Sequence, residues 1–299
     1  MSSGKTDRPI VFFGTEPFSL TGTILSALID NGYNIAAVVT KPDSRQGRGH
    51  KLTPPAIKDT AKRHGIPVWQ PTKLADIADD IRALQPVTGV LVSYGRIIPQ
   101  SIIDLFTPGI INVHPSLLPQ YRGSSPVEAA ISGRDGRTGV SLMQLVAEMD
   151  AGPVYAQAMY ALDQHETRPE LYDTLGQISA NLLTTHLPAI IDNSLQPVAQ
   201  DDDAATYCQL LSKADSLIDP ATTTPGDAEA RIRAHLGFPR SRIALPGDTT
   251  VIVTRAHVQM DQTDGLDIKF ANGAYLSIDE LIAPSGKTMS AESYLRGRK

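Results

Sequence analysis

Cysteine is nearly absent from this 299-residue chain, where Cys208 stands alone. A single thiol can close no intramolecular disulfide and build no multi-cysteine metal site, and such scarcity fits a reducing compartment. Long apolar runs are also missing; none approaches the roughly 20 residues a membrane helix needs. No membrane partner is therefore expected. The first nine residues, MSSGKTDRP, are polar and lack the apolar stretch of a signal peptide. They read as a short disordered lead, and the expected location is cytoplasmic. Catalytic signatures are missing too. Gly14 stands alone where a dinucleotide fingerprint would need G-x-G-x-x-G, so no bound NAD is expected. No Gly-x-Ser-x-Gly elbow surrounds Ser116, which argues against a serine hydrolase. The seven histidines show no i, i+4 pair beside a Glu, so no metal is expected. Internal repeats and long low-complexity tracts are not found.

What is present is ordinary in bulk and informative in detail. The length suffices for two domains, and 41% hydrophobic with 20% charged residues describes a soluble globular chain. A net charge of −5 argues against a surface coated evenly for nucleic acid, but allows a local basic patch. Residues 41–51, KPDSRQGRGHK, form such a patch: Lys41, Arg45, Arg48 and Lys51 face one acid, and two glycines loosen the backbone. On charge alone this is either a solvated loop or a flexible arm for phosphates, where basic side chains gain affinity by releasing counterions.

Apolar patterning gives an alternating α/β order. Residues 10–13 read as a buried strand, 20–31 as a helix stopped by Gly32, and 35–40 as a second strand. That βαβ opening implies a right-handed crossover and an open, mostly parallel, Rossmann-like sheet. Helices are predicted over 54–64, 76–84, 102–106 and 126–132, with strands over 68–69, 88–93, 109–114, 139–146 and 154–162. A long helix over 169–191 is expected to be interrupted late by Pro188. Residues 193–208, with Pro197 and Asp201-Asp202-Asp203, read as an exposed linker. The catalytic domain is thus expected at 1–192 and a second domain at 209–299. In that second domain a helix opens at Thr224 with Pro225 at its first position. Short strands over 243–245, 249–255, 256–260, 267–270 and 274–278, with Pro-Gly-Asp and Asn-Gly turns, suggest a small antiparallel barrel.

The most unusual stretch is residues 109–123, GIINVHPSLLPQYRG. It starts as a buried central strand, yet carries Asn112 and His114 two residues apart, hence on one face. Both project where the strand ends, and in open parallel sheets ligands bind at that carboxyl edge. Burying two polar side chains costs a few kcal/mol unless they are hydrogen-bonded. The pair is either a satisfied piece of core or part of a site. Asp150, on a turn after the next long strand, offers a separate acid. A carboxylate beside an imidazole favours its protonated form. With an amide donor, such a cation can stabilise the oxyanion of an acyl-type transfer, and no covalent intermediate is needed if the substrate brings an amine.

The segment from Ile111 to Pro119, with Tyr121-Arg122-Gly123, resembles the signature of the folate-dependent formyltransferases, and Met149-Asp150-Ala151-Gly152-Pro153 resembles that family's Asp-bearing loop. The resemblance implies Asn112, His114 and Asp150 as catalytic residues and 10-formyltetrahydrofolate as co-substrate. It implies that Ser116, Leu117, Leu118 and Pro119 contact the folate, with Val92, Ser93, Tyr94 and Gly95 lining the same pocket. Within that family the chain most resembles the enzymes acting on methionyl initiator tRNA, through Phe13-Gly14-Thr15, the arm from Lys41 to Leu52, and Leu210-Leu211-Ser212-Lys213-Ala214. That likeness implies an OB-like C-terminal barrel on the tRNA and an arm entering the acceptor stem, with Arg48 as its key arginine. A monomer is expected. Formyl transfer to an amino group of a nucleotide sugar is the alternative chemistry; a catalytically idle tRNA- or folate-binding protein is the alternative of another kind. Gly237-Phe238-Pro239-Arg240 and Asp219-Pro220 depart from the family's Asn-Pro-Trp-Pro-like and Asp-Trp runs.

Overall fold

A computed structural model describes residues 7–15, 19–46, 51–245 and 249–297. Most of the polar lead, the arm tip with Arg48, the Pro-Gly-Asp turn and the last two residues lie outside the described residues. The chain divides into two compact units. One comprises Met1–Arg122, Gly139–Tyr160 and Tyr172–Tyr207; the other comprises Gly123–Thr138, Ala161–Leu171 and Cys208–Lys299.

The first unit is built on a seven-stranded sheet in the order Val154–Ala161, Arg137–Gln144, Ile110–His114, Thr88–Val92, Ile10–Gly14, Ile35–Val39, Val68–Trp69. The strands from Ile110–His114 to Val68–Trp69 run parallel to one another, while Arg137–Gln144 is antiparallel to Ile110–His114. The central strands are buried on both faces: every residue of the apolar Ile10–Gly14 is buried, and so is every residue of Ile110–His114, its Asn112 and His114 included. This is an α/β fold with a mostly parallel central sheet. Val154–Ala161 lies at the sheet edge, and its alternating half-buried and exposed pattern follows from that position. Among the described residues no helix is long and apolar enough to cross a membrane.

Helix Ser19–Asp30 ends as its sequence suggests. Gly32 takes φ +72°, its N–H reaches Ile29 O at 2.8 Å, and Tyr33 N–H reaches Leu28 O at 3.0 Å. Those two bonds satisfy carbonyls the helix leaves open. Helix Arg168–Ile191 differs from expectation, for it runs unbroken through Pro188. Proline leaves the carbonyl four residues earlier without its helical donor. The hydroxyl of Tyr33 donates to that carbonyl, Thr184 O, at 3.2 Å, and Asp192 N–H still reaches Pro188 O at 3.0 Å. The predicted helix at 76–84 is a 3₁₀ turn, Leu74–Ile77, leading into Ala78–Ala83. Residues 193–208 are largely exposed but tethered: Val198 and Val154 exchange both backbone hydrogen bonds at 2.8 Å.

The second unit contains a five-stranded antiparallel sheet ordered Arg242–Leu245, Thr249–Gln259, Tyr275–Ile282, Leu266–Lys269, with Thr288–Ser290 paired to Tyr275–Ile282. The two strands expected over 249–260 are one, bent where the register slips between Val253 and Ala256. Helix Pro225–Ala234 opens as predicted, with the Thr224 hydroxyl accepting from Asp227 N–H at 3.2 Å. Its Ala228 and Ile232 join Ile243, Val251, Leu276 and Tyr294 in the apolar core. Within this unit Arg168 and Glu128, both buried, pair at 2.6 Å.

Candidate active site

Asn112 and His114 end the central strand, 6% and 5% exposed, and project to one face as their spacing requires. Across the sheet they lie opposite Met143 and Ser141. After Gln144 the chain turns back through residues 148–153. Gly152 permits that turn to press on the sheet, since a Cβ there would lie 1.8 Å from Gln144 O. Asp150 sits at the tip of the turn with φ +49°, and its carboxylate reaches back to both strand residues. Asn112 Nδ2 donates to Asp150 Oδ1 at 3.3 Å, and His114 Nδ1 lies 3.7 Å from Asp150 Oδ2. The three residues singled out in the sequence are thus gathered at one point.

The second ring nitrogen of His114 fixes its protonation at that atom. Nε2 lies 2.9 Å from Tyr121 O. A carbonyl can only accept, so Nε2 carries a proton and donates it. Nδ1 is then the ring nitrogen that faces Asp150. Tyr121 holds its carbonyl there with φ +58°.

The loop from Ser116 to Pro119 is built from within. Ser116 is fully buried, and its hydroxyl donates to Gln120 O at 2.6 Å. Ser141, also fully buried, accepts from Leu118 N–H at 3.0 Å and donates to Ser116 O at 2.7 Å. Gln157 adds bonds of 2.8 Å to Leu118 O and to the Ser141 hydroxyl. Leu118 is buried, whereas Leu117 and Pro119 are half-buried. Neither Ser141 nor Gln157 carried a sequence signal beyond lying on strands that neighbour the loop.

On the other side of the strand end, Val92 is buried and Ser93 is exposed with φ +48°. Tyr94 turns inward: its ring is 1% exposed and packs edge-on against Phe13, centroids 5.6 Å apart. Burial pushes its phenol up from the ordinary value, against a smaller opposing effect of Arg96. Gly95 lies under Lys41, whose Nζ would be 2.9 Å from a Cβ there. Lys41 therefore reaches the turn after Thr88–Val92, although the sequence groups it with the arm.

The arm is a hairpin in which Ser44–Gln46 pairs with Lys51–Thr53, Arg45 opposite Leu52 and Gln46 opposite Lys51. Its base is anchored at Asp43. Gln70 Nε2 donates both to Asp43 Oδ1 and to Lys41 O at 2.7 Å, and Lys58 Nζ meets the two carboxylate oxygens at 2.7 and 2.9 Å. The Gln70 bond first, then the Lys58 bond, hold the Asp43 carboxyl below its ordinary range.

Residues 8–187 match the Formyl transferase family. The chain belongs to that family. It is 38% identical over 304 residues to the methionyl-tRNA formyltransferase of Halorhodospira halophila (strain DSM 244 / SL1), covering 97% of this chain and 96% of the relative. The methionyl-tRNA formyltransferase of Myxococcus xanthus (strain DK1622) is 35% identical over 306 residues, covering 98% and 96%. Among solved structures, the Helicobacter canadensis N-formyltransferase in complex with folinic acid and dTDP-3-aminofucose superposes with a TM-score of 0.67 at 15% identity, covering 91% of this chain and 99% of that one. HypX from Aquifex aeolicus in complex with tetrahydrofolic acid gives 0.66 at 14% identity, covering 97% of this chain and 47% of HypX, so the chain spans about half of that protein. At such identities these two likenesses show the fold alone.

Proposed function

We propose that the chain transfers a formyl group from 10-formyltetrahydrofolate to the α-amine of methionine esterified to initiator tRNA, giving N-formylmethionyl-tRNA for translation initiation. The observation that carries this reading is end-to-end similarity to enzymes of that name, 38% identical over 97% of the chain, combined with the gathering of Asn112, His114 and Asp150. The basic arm adds support, for a small sugar nucleotide needs no such reach.

The donor set fits a formyl donor and an amine. At the strand end the Asp150 carboxylate lies 3.3 Å from the Asn112 amide and 3.7 Å from the His114 imidazole, flanked by the 116–119 loop and the 92–95 turn. The folate, when bound, supplies the formyl group on N10; Leu117, Pro119, Ser93 and Gly95 are the accessible loop and turn residues that would hold it, around Ser116, Leu118, Val92 and Tyr94. Asn112 spends one amide hydrogen on Asp150 and has a second to offer the formyl oxygen as negative charge grows there. Asp150 takes the proton that the attacking amine must shed. His114, its Nε2 held by Tyr121 O, presents Nδ1 to Asp150 beside the point where the oxyanion would form. As the C–N bond to the amine forms and the bond to N10 breaks, the proton passes from Asp150 towards the departing nitrogen.

Residues 209–299 are read as an OB-like tRNA-binding domain, 1–192 as the catalytic domain and 193–208 as their connection. Lys41, Arg45, Arg48 and Lys51 are read as phosphate contacts, and the cytoplasm is where such a tRNA is charged. Offering the protein methionyl initiator tRNA, methionyl elongator tRNA and an amino-sugar nucleotide beside one formyl donor tests this. Turnover of the initiator alone is expected; selective turnover of the sugar nucleotide overturns the reading.

A further inference from the structure

Gln200 belongs to the stretch whose composition reads as a free linker, yet its amide is saturated. Its Nε2 donates to Asp150 O at 2.8 Å and to Gly152 O at 2.7 Å. Its Oε1 accepts from Arg122 Nε at 3.0 Å and from Arg122 Nη2 at 2.9 Å. The orientation is forced, because a guanidinium can only donate and must face the oxygen. Both amide hydrogens are then left for the two carbonyls that bracket the Asp150 turn.

Arg122 is itself fixed. It is 3% exposed, and Nη2 also donates to Asp202 Oδ1 at 2.7 Å. Burial disfavours its charge, but the Asp202 carboxylate and the Tyr207 hydroxyl outweigh that cost and raise its pKa. Its backbone N–H donates to Thr206 O at 2.9 Å. The residue before it, Tyr121, holds His114 Nε2.

We infer that Gln200 is a positioning residue for Asp150: seated on Arg122, it sets the height of the Asp150 turn above His114. Two adjacent residues then position both halves of the pair, Tyr121 through the imidazole and Arg122 through Gln200. Asp150 needs the support because it holds φ +49°, a backbone region that non-glycine residues occupy at a cost. Its carboxylate is 3.7 Å from Nδ1, so a shift of the turn changes a contact already at the limit of an ion pair.

This inference rests on the proposed formyl transfer, and Gln200→Glu tests it. The variant keeps an acceptor for Arg122, so Arg122 stays paired, but it sets a carboxylate oxygen against the Asp150 and Gly152 carbonyls. A misplacement near 1 Å costs on the order of 100-fold. The expectation is a kcat lower by roughly 10- to 100-fold, with KM for methionyl-tRNA within about twofold and an unchanged fold by circular dichroism. In an Asp150→Asn background the same change should cost less than about threefold, because the positioned group is gone. Normal kcat in Gln200→Glu, or a loss that adds in full to that of Asp150→Asn, overturns the assignment. If the wild type does not formylate methionyl-tRNA, the proposed function has failed instead. The positioning is then read from the ¹⁵N resonances of the His114 ring, which must move in Gln200→Glu; unmoved resonances overturn it.

Discussion

The phenol of Tyr33 donates to the carbonyl of Thr184, the acceptor that Pro188 leaves without its helical partner. A turn 151 residues away in sequence thereby completes a helix that its own residues cannot. Tyr33→Phe should destabilise the protein by about 0.5–1.5 kcal/mol, the net worth of one part-buried hydrogen bond. In a Pro188→Ala background, where an N–H returns to Thr184 O, the same change should cost clearly less. Equal losses in the two backgrounds by urea denaturation would show that the bond does not serve this purpose.

That relationship marks what the sequence can and cannot disclose. Gly32 and Thr224 act within a few residues of themselves, so the helix stop and start they impose are legible. Asn112 and His114 are legible because strand spacing fixes a shared face and buried polarity demands a reason. The rescue of Pro188 is not, since its donor lies on another element. The single strand Thr249–Gln259 reads as two because the register slip interrupts its alternation. Strand Thr288–Ser290 and helix Ala291–Arg296 are too short to show a period. Gln200, Ser141 and Gln157 escape for another reason: each works through one side-chain amide or hydroxyl, and nothing local distinguishes a used one from a solvated one.

The buried pair Arg168–Glu128 predicts a lopsided response. Arg168 also donates to Leu236 O at 3.0 Å, so the Glu128 carboxylate is not its sole attachment in its unit. Glu128→Ala should cost about 3–5 kcal/mol, because it leaves a buried guanidinium without its carboxylate. Replacing both residues with apolar ones of similar volume should recover most of that loss. A cost below about 1 kcal/mol for Glu128→Ala would mean that solvent reaches the site.

His235 makes stability depend on pH. It is 3% exposed, with Nδ1 3.1 Å from the Ser241 hydroxyl. Burial, with the nearby Arg231 charge, lowers its pKa from 6.5 to about 4. The unfolded chain therefore takes up the proton first as pH falls. Its contribution should be intact above about pH 6.5, decline steadily from there to about pH 4, and change no further below. His235→Gln should flatten that limb of the Tm-against-pH curve. An unchanged limb would assign it to other groups.

The basic arm predicts a salt dependence. If Arg45, Arg48 and Lys51 meet phosphates, alanine at each should reduce the slope of log K against log salt by about one while weakening binding to all tRNAs alike. Gln70→Leu acts on the anchor at Asp43 and Lys41 without altering charge. It should weaken tRNA binding and leave the slope as it was. A slope unmoved by all three alanine variants would remove the arm from the interface.

The most direct measurement is the single-turnover rate of formyl transfer to methionyl initiator tRNA for the wild type and for Asp150→Asn. The amide keeps the size of the side chain at the tip of the turn but cannot serve as the base of the proposed reaction. The rate should fall by at least about 100-fold with tRNA binding unchanged. A variant within a few-fold of wild type would contradict the catalytic roles of Asn112, His114 and Asp150.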